Sequence, residues 1–389
     1  MTRSSAPVPF AAPTLGGSAA PTAGDSVAPT LGDFVAPTLG VEEEYLLLDP
    51  DTGRNTALAD KVVAGLPDAV RAQSRQEFRG SMLEMVTPVC PGLDELRREI
   101  TLIRSAAAES AAAAGALLTP IGATPVADPD RDPPDNARFR TITRHYGPIG
   151  ADAAVCGCHV HVGVPDREAA IRACRGLRPW LPVIQAIAAN SPFYQGTDTN
   201  HASWRSMQLR RWPLLGPTPP FRSGADFDRA VAEYAAGGAI LDETMILWYA
   251  RPSATWPTVE IRVADVCLTA ADTVLVAGLV RALVVTILAS DADAGDVPDH
   301  ALEAAHASAA RNGLDGMLLD ARTGTARPAW DVVDDLTAYA SKALHQLGDD
   351  STVREELARV RSEGTGAARQ RRIFTAKADL LTTLREVSA

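Results

Sequence analysis

The stretch Gly40-Val41-Glu42-Glu43-Glu44-Tyr45-Leu46-Leu47-Leu48-Asp49 constrains this chain most, because three carboxylates open an apolar run. On a strand, successive side chains point to opposite faces. Glu42 and Glu44 then share a face with Leu46 and Leu48, while Glu43, Tyr45 and Leu47 share the other. Two acids side by side on a half-buried strand cost free energy unless positive charge sits between them. The plain alternative is a surface helix start, where acids favour the positive end of the dipole. The sharper reading is a pair of ligands for a hard cation such as magnesium. Glu43 is left to seek an arginine on the opposite face.

Composition narrows the setting. The net charge of -11 argues against non-specific nucleic-acid binding, so an anionic substrate needs a metal or a local arginine cluster. The five cysteines, Cys90, Cys156, Cys158, Cys174 and Cys267, are odd in number and irregularly spaced, which does not suit a disulfide framework. The first residues lead into no apolar run, so no signal peptide is expected. The longest apolar stretch, 273–290, carries Arg281 near its centre and reads as a buried core helix rather than a membrane span. A cytoplasmic protein is the default expectation. A homo-oligomer stays open.

Residues 1–37 hold an eight-residue Ala-Pro-Thr repeat, with copies beginning at Ala12, Ala20, Ala28 and Ala36. Proline and glycine in the copies oppose helix and sheet, so a disordered tail is expected. Residues 38–389 are expected to form one catalytic domain. Gln73 to Thr87 reads as a long strand, followed by a helix from Asp94 to Ala114 with Asp94 as N-cap. Strands are expected at 117–123, 155–164, 246–251 and 258–263, with helices at 181–190 and 226–236 and one after Asp166. From 270 onward the periodicity is helical: 270–291, 299–311, 330–347, 351–362 and 367–387. This order predicts an α+β fold with a mostly antiparallel sheet, flanking helices and a helical C-terminal third.

Cys156-Gly157-Cys158-His159-Val160-His161 invites a zinc site. On a strand, however, the two cysteines face away from the two histidines, and four such ligands cannot close on one tetrahedral ion. His159 and His161 stay side by side, where they suit a metal or phosphate site or a satisfied polar core. On Thr258–Asp265, Glu260 and Arg262 share a face opposite Val259, Ile261 and Val263; an ordinary surface ion pair is the bland reading. Glu84, in Ser81-Met-Leu-Glu84-Met-Val-Thr-Pro88, is an acid in an apolar strand and needs a partner. One sheet with a polar face and an apolar face satisfies all four strands at once. The polar face would hold divalent cations, magnesium or manganese, whose usual task is bridging nucleotide phosphates. Neither a P-loop nor a complete Gly-x-Gly-x-x-Gly nor a Gly-x-Ser-x-Gly elbow occurs.

The ordered set Thr38-Leu-Gly-Val-Glu-Glu-Glu44, Glu84 with Thr87-Pro88, Gly157 with His159-Val-His161, Asn190-Ser-Pro-Phe193, Ser203-Trp-Arg205, Thr258–Val263 with Asp265, and Gly366–Arg371 resembles the YbdK-like carboxylate–amine ligases of the second glutamate–cysteine ligase family. The resemblance implies a glutamine synthetase-like fold, a curved antiparallel sheet forming a funnel entered by ATP from one end and an amino acid from the other. It implies ATP and magnesium as cofactors. It also implies a two-step reaction, in which a carboxylate takes the γ-phosphoryl group of ATP and an amine then displaces phosphate. Glutamate and cysteine are the implied substrates. A different amine acceptor, and a non-catalytic nucleotide- or metal-binding homologue, are the alternatives. Carried onto this chain, Glu42, Glu44, Glu84, His159 and Glu260 would ligate metal. His159 or His161 would add a metal ligand or touch the transferring phosphate, and Arg205 and Arg262 would neutralise phosphate or hold the substrate carboxylate.

Overall fold

The computed structural model describes residues 30–31, 34–290 and 297–388. The expected disordered tail falls mostly on 1–29, outside the described residues; beyond them, Thr30–Leu31 pairs antiparallel with Phe34–Val35. The centre is a seven-stranded sheet. Its strands are β1 (Leu39–Leu48), β2 (Ser74–Arg75), β3 (Met82–Val86), β4 (Leu117–Thr119), β5 (Gly157–Gly163), β6 (Ala250–Pro252) and β7 (Thr258–Asp265). They lie in the order β6-β7-β5-β1-β3-β2, and β4 pairs with the far end of β1. Every pairing is antiparallel.

The alternation expected of these strands decides the two faces. Val41, Val160, Val162, Val259 and Ile261 are buried on one face together with Cys158, where β-branched side chains fit a pleated surface. Helices α1 (Leu93–Ala114), α2 (Arg167–Leu177), α3 (Leu181–Ile187) and α4 (Ala270–Leu288) cover that face. Helix α4 is the long apolar stretch, and it is packed inside the core. Its central Arg281 is 1% exposed and donates to Pro37 O at 2.9 Å and Pro91 O at 2.8 Å, beside Asp349. Glu43 reaches the same helical side. It takes Arg104 of α1 at 2.6 and 2.9 Å and the Thr273 hydroxyl of α4 at 2.6 Å. Removing one partner of so buried a pair costs about 3–5 kcal/mol.

Several expected elements are shorter or broken. The long strand at 73–87 is two short ones, β2 and β3. Between them the Arg79 guanidinium turns inward to the carbonyls of Gly150 and Asp152, which pulls the chain out of the sheet. Helix α1 begins at Leu93 behind Gly92, and Asp94 lies in its first turn instead of capping it. The strand expected at 246–251 keeps only Ala250–Pro252, because Arg251 folds the preceding loop back by donating to Ile246 O at 2.6 Å. The last helix is two, Gly366–Lys377 and Leu380–Val387, broken where Ala378 takes a φ of 54° and Asp379 caps the second. A helix at Ala137–Tyr146 and a hairpin of Met317–Asp320 with Thr325–Pro328 carried no expectation.

Candidate active site

Register builds the polar face. Glu42 lies opposite His159, Gly40 opposite His161, Glu260 opposite His161, and Glu44 opposite Glu84. A bulge between Ile261 and Ala264 sets two residues of β7, Arg262 and Val263, against His159. Beyond it the register has shifted by one, so Asp265 and not Ala264 faces the polar side.

Two groups of acids follow, and they titrate differently. Glu42 accepts from His159 Nδ1 at 3.0 Å and lies 3.2 Å from His161 Nε2. Burial pushes its carboxyl up, but the two imidazoles outweigh burial and hold it well below the usual carboxylate range. His161 Nδ1 meets the Thr258 hydroxyl at 2.9 Å, which leaves its Nε2 facing Glu42. One ligand atom each of Glu42, His161 and Glu260 falls within 4.8 Å of the others. Glu260 is buried and gripped by Arg251, at 2.7 and 3.2 Å, and by Arg262. Those guanidiniums overcome its burial and hold its carboxyl low. The pair of Glu260 and Arg262 is therefore not a solvated surface pair.

The second group is Glu44, Glu77 and Glu84. Glu44 accepts from Gly157 N at 2.6 Å and lies 3.9 Å from His159 Nε2. Glu77 and Glu84 share a hydrogen bond. Among the described residues, no arginine or lysine forms an ion pair with any of the three. Burial, then neighbouring carboxylates, push Glu84 well above the usual range, and burial raises Glu44 and Glu77 as well. Half-buried acids that repel each other, on the same face as the Glu42, His161 and Glu260 group, fit a hard divalent cation.

Arg205 supplies the opposite charge. It is 6% exposed, yet its contacts are loose: Asp265 Oδ1 at 3.9 Å, Arg262 O at 3.4 Å, and no partner for Nε. A Cβ at Gly157 would run into its guanidinium, so the strand needs glycine there for close approach. Asp265 is 1% exposed and fixes the surrounding loops, taking Asn190 N at 2.9 Å, Ser191 Oγ at 2.7 Å and Ser203 Oγ at 2.8 Å. Glu44, Glu77, His159, Arg205 and Arg262 line one cavity of about 280 Å³ together with the aromatic rings of Phe78, Phe139 and Trp212.

The polar face thus gathers Glu42, Glu44, Glu84, His159, His161, Glu260 and Arg262, with Arg205 against it. Cys158 lies in the helix-covered core, away from the histidines, as alternation requires. Sequence reasoning missed Glu77 and Arg251. On one continuous strand from Gln73 to Thr87, Glu77 and Glu84 fall on opposite faces; the break that lets β2 fold back on β3 brings them together. Arg251 is the cross-strand partner of Glu260; pairing β6 with β7 across their short connection would have found it.

The profile described as glutamate–cysteine ligase family 2 matches residues 38–385. A Salinispora arenicola protein named "Putative glutamate–cysteine ligase 2" is 59% identical over 338 residues, covering 86% of this chain and 89% of the relative. A Mycobacterium sp. (strain KMS) protein named "Putative glutamate–cysteine ligase 2-2" is 41% identical, covering 88% and 94%. Among solved structures, a glutamate–cysteine ligase from Francisella tularensis in complex with AMP is similar at a TM-score of 0.63 and 13% identity, covering 91% of this chain and 88% of that one. A bifunctional glutathione synthetase from Pasteurella multocida is similar at 0.66 and 14% identity, covering 90% of this chain; the chain spans 51% of that enzyme's length.

Proposed function

This chain belongs to glutamate–cysteine ligase family 2, and from that premise we propose that it joins the γ-carboxyl of glutamate to the amine of cysteine, or of a related amine, with ATP as the phosphoryl donor. As a member of the family it is an ATP-dependent ligase. The observation that carries the finer reading is an acid-lined sheet face set across one cavity from a buried and largely unspent guanidinium, Arg205.

A carboxylate is a poor acylating group at neutral pH, so phosphorylation supplies a leaving group before the amine attacks. Little covalent work is left for the protein; catalysis rests on positioning and on neutralising charge. Bound magnesium would neutralise the nucleotide phosphates, and Glu42, His161 and Glu260, with Glu44, Glu77 and Glu84, are the residues that would hold it. Arg262 and Arg205 aim planar donor forks at the anionic groups of substrate and phosphate. Arg251 keeps Glu260 in place. His159 donates through Nδ1 to Glu42, which leaves Nε2 as an acceptor on the cavity wall. Burial and the Arg262 charge lower its pKa, so the ring stays neutral at pH 7.

The test is direct. Purified protein is incubated with ATP, magnesium and glutamate against a panel of amines, and ADP release and product mass are read. Cysteine-dependent ADP release with a γ-glutamylcysteine mass is expected. Turnover with another amine in place of cysteine keeps the ligase and changes its acceptor. No ADP release with any amine would overturn the proposal.

A further inference from the structure

A second cavity of about 170 Å³ lies beside the first. Ser206, Leu215 and Tyr249 line both. Its floor is His306, on the helix Asp299–Asn312, only 4% exposed and with its ring 4.4 Å from that of Tyr249. The orientation of Gln185 settles the tautomer. Its Nε2 donates to Ser206 Oγ at 3.0 Å and to His306 O at 3.3 Å, so its Oε1 accepts from His306 Nδ1. Nε2 of His306 therefore carries a lone pair, and it is buried with no partner. Burial, then the nearby Arg210 charge, push this imidazole down to about 3, so it stays neutral at pH 7.

Two charged residues complete the lining. Arg210 and Glu303 are exposed, and neither makes an ion pair among the described residues. One cavity thus presents an unspent cation, an unspent anion and an orphaned buried acceptor. A polyphosphate would meet the Glu303 carboxylate and find no donor need satisfied at His306. An apolar ligand would leave Nε2 unpaired at a cost. A carboxylate beside an ammonium matches all three groups.

We propose that this cavity is a second ligand site, which takes a small zwitterionic α-amino acid with its carboxylate on Arg210 and its ammonium between Glu303 and His306 Nε2. The volume admits a short side chain and little more. The site shares no carboxylate, arginine or histidine with the sheet face, so it does not depend on the ligase reading. Its ligand has two sources: the amine substrate, held next to the catalytic cavity, or an amino acid that is bound without being consumed.

Calorimetry on the full chain decides it, with L-alanine, L-serine and L-cysteine as probes and propionate and ethylamine as single-charge controls. At least one amino acid binds and neither control does. Its affinity falls roughly tenfold or more in Arg210→Ala and in His306→Phe, while ATP affinity, read in parallel, does not move. Arg210 is exposed, so its variant keeps the test open if His306→Phe fails to fold. A bound amino acid that is also incorporated, with a raised KM in Arg210→Ala, identifies the amine substrate. One that changes the rate without being incorporated identifies an effector. Amino-acid binding alongside no ADP release would leave this site standing and remove the ligase reading alone. Binding unchanged in Arg210→Ala, propionate binding as tightly as alanine, or no amino acid binding the wild type would overturn the proposal.

Discussion

Glu42 and Glu44 lie two residues apart on one strand, yet their carboxyls move in opposite directions. Glu42 is held low by two imidazoles against the pull of burial, whereas burial raises Glu44, and burial with its acidic neighbours raises Glu84. The signs give a pH dependence. Glu42 and Glu260, with depressed carboxyls, contribute stability that is present above the ordinary carboxylate range and lost as pH falls through it. Glu44, Glu77 and Glu84, with raised carboxyls, contribute stability that is present at low pH and lost as pH rises through their folded values. Metal-free protein should therefore lose Tm as pH rises above the ordinary carboxylate range, and magnesium should restore more at pH 8 than at pH 5. Glu84→Gln should raise the metal-free Tm at pH 8 by roughly 1–3 °C, shrink the magnesium response and abolish turnover. Thermal shift with and without magnesium checks all of this; a magnesium response that is flat in pH would remove the cation from this patch. Gly157→Ala tests the other charge. The new Cβ meets the Arg205 guanidinium, so kcat/KM should fall about 10–100-fold with a smaller change in Tm, read by steady-state kinetics and melting. These residues were legible because a strand has a period of two: Glu42 with Glu44, and His159 with His161, had to share faces, and Glu43 had to find its arginine elsewhere. Nothing local identified that arginine as Arg104, which arrives from a helix 61 residues away.

At the scale of elements, the site depends on two interruptions of regular structure. One is the break between β2 and β3, which brings Glu77 round. The other is the bulge in β7, which presents Asp265 to the polar face. Neither was readable from alternation, because each is set by distant partners: the carbonyls of Gly150 and Asp152 for Arg79, and the 190–206 loop for Asp265. The regular parts of the same strands were readable, since their apolar positions recur with the pleat. Asp265 joins the loop carrying Ser191 and Ser203 to the strand carrying Glu260 and stands beside Arg205. Asp265→Asn keeps the shape but loses the charge and turns an acceptor into a donor facing Asn190 N or the serines. A loss of about 2–4 kcal/mol in denaturant unfolding is expected, with an increase in KM for the anionic substrates as Arg205 loses its neighbour. Wild-type stability in Asp265→Asn would show that the loops are held by packing alone.

Across the whole molecule, the sheet face is closed by segments from both ends of the chain. Gly366 and Gln370 clamp Asn190: a Cβ at Gly366 would collide with the Asn190 side chain, and Gln370 Nε2 donates to Asn190 Oδ1 at 2.7 Å. The α+β class and the helical last third were visible in the order of periodicities, but the function of the Gly366–Arg371 motif as a clamp on residue 190 follows only from tertiary closure. The N-terminal side sets a sharper boundary than the repeat itself suggests. Ala36 is 4% exposed, Pro37 O accepts from the buried Arg281, and Thr38 O accepts from Gly163 N at 2.9 Å. Deleting residues 1–29 should therefore leave activity and Tm unchanged. Deleting 1–38 removes the acceptors of a buried guanidinium and of the end of β5, at about 1–3 kcal/mol for each orphaned donor. That deletion should lower Tm by roughly 5 °C or more and weaken magnesium-dependent turnover, because Gly163 ends the strand that carries both histidines. Melting and turnover of the two truncations, measured together, separate the cases. Equal behaviour of the two would mean that Arg281 finds a replacement acceptor and that the chain's anchor begins at β1, not at Ala36.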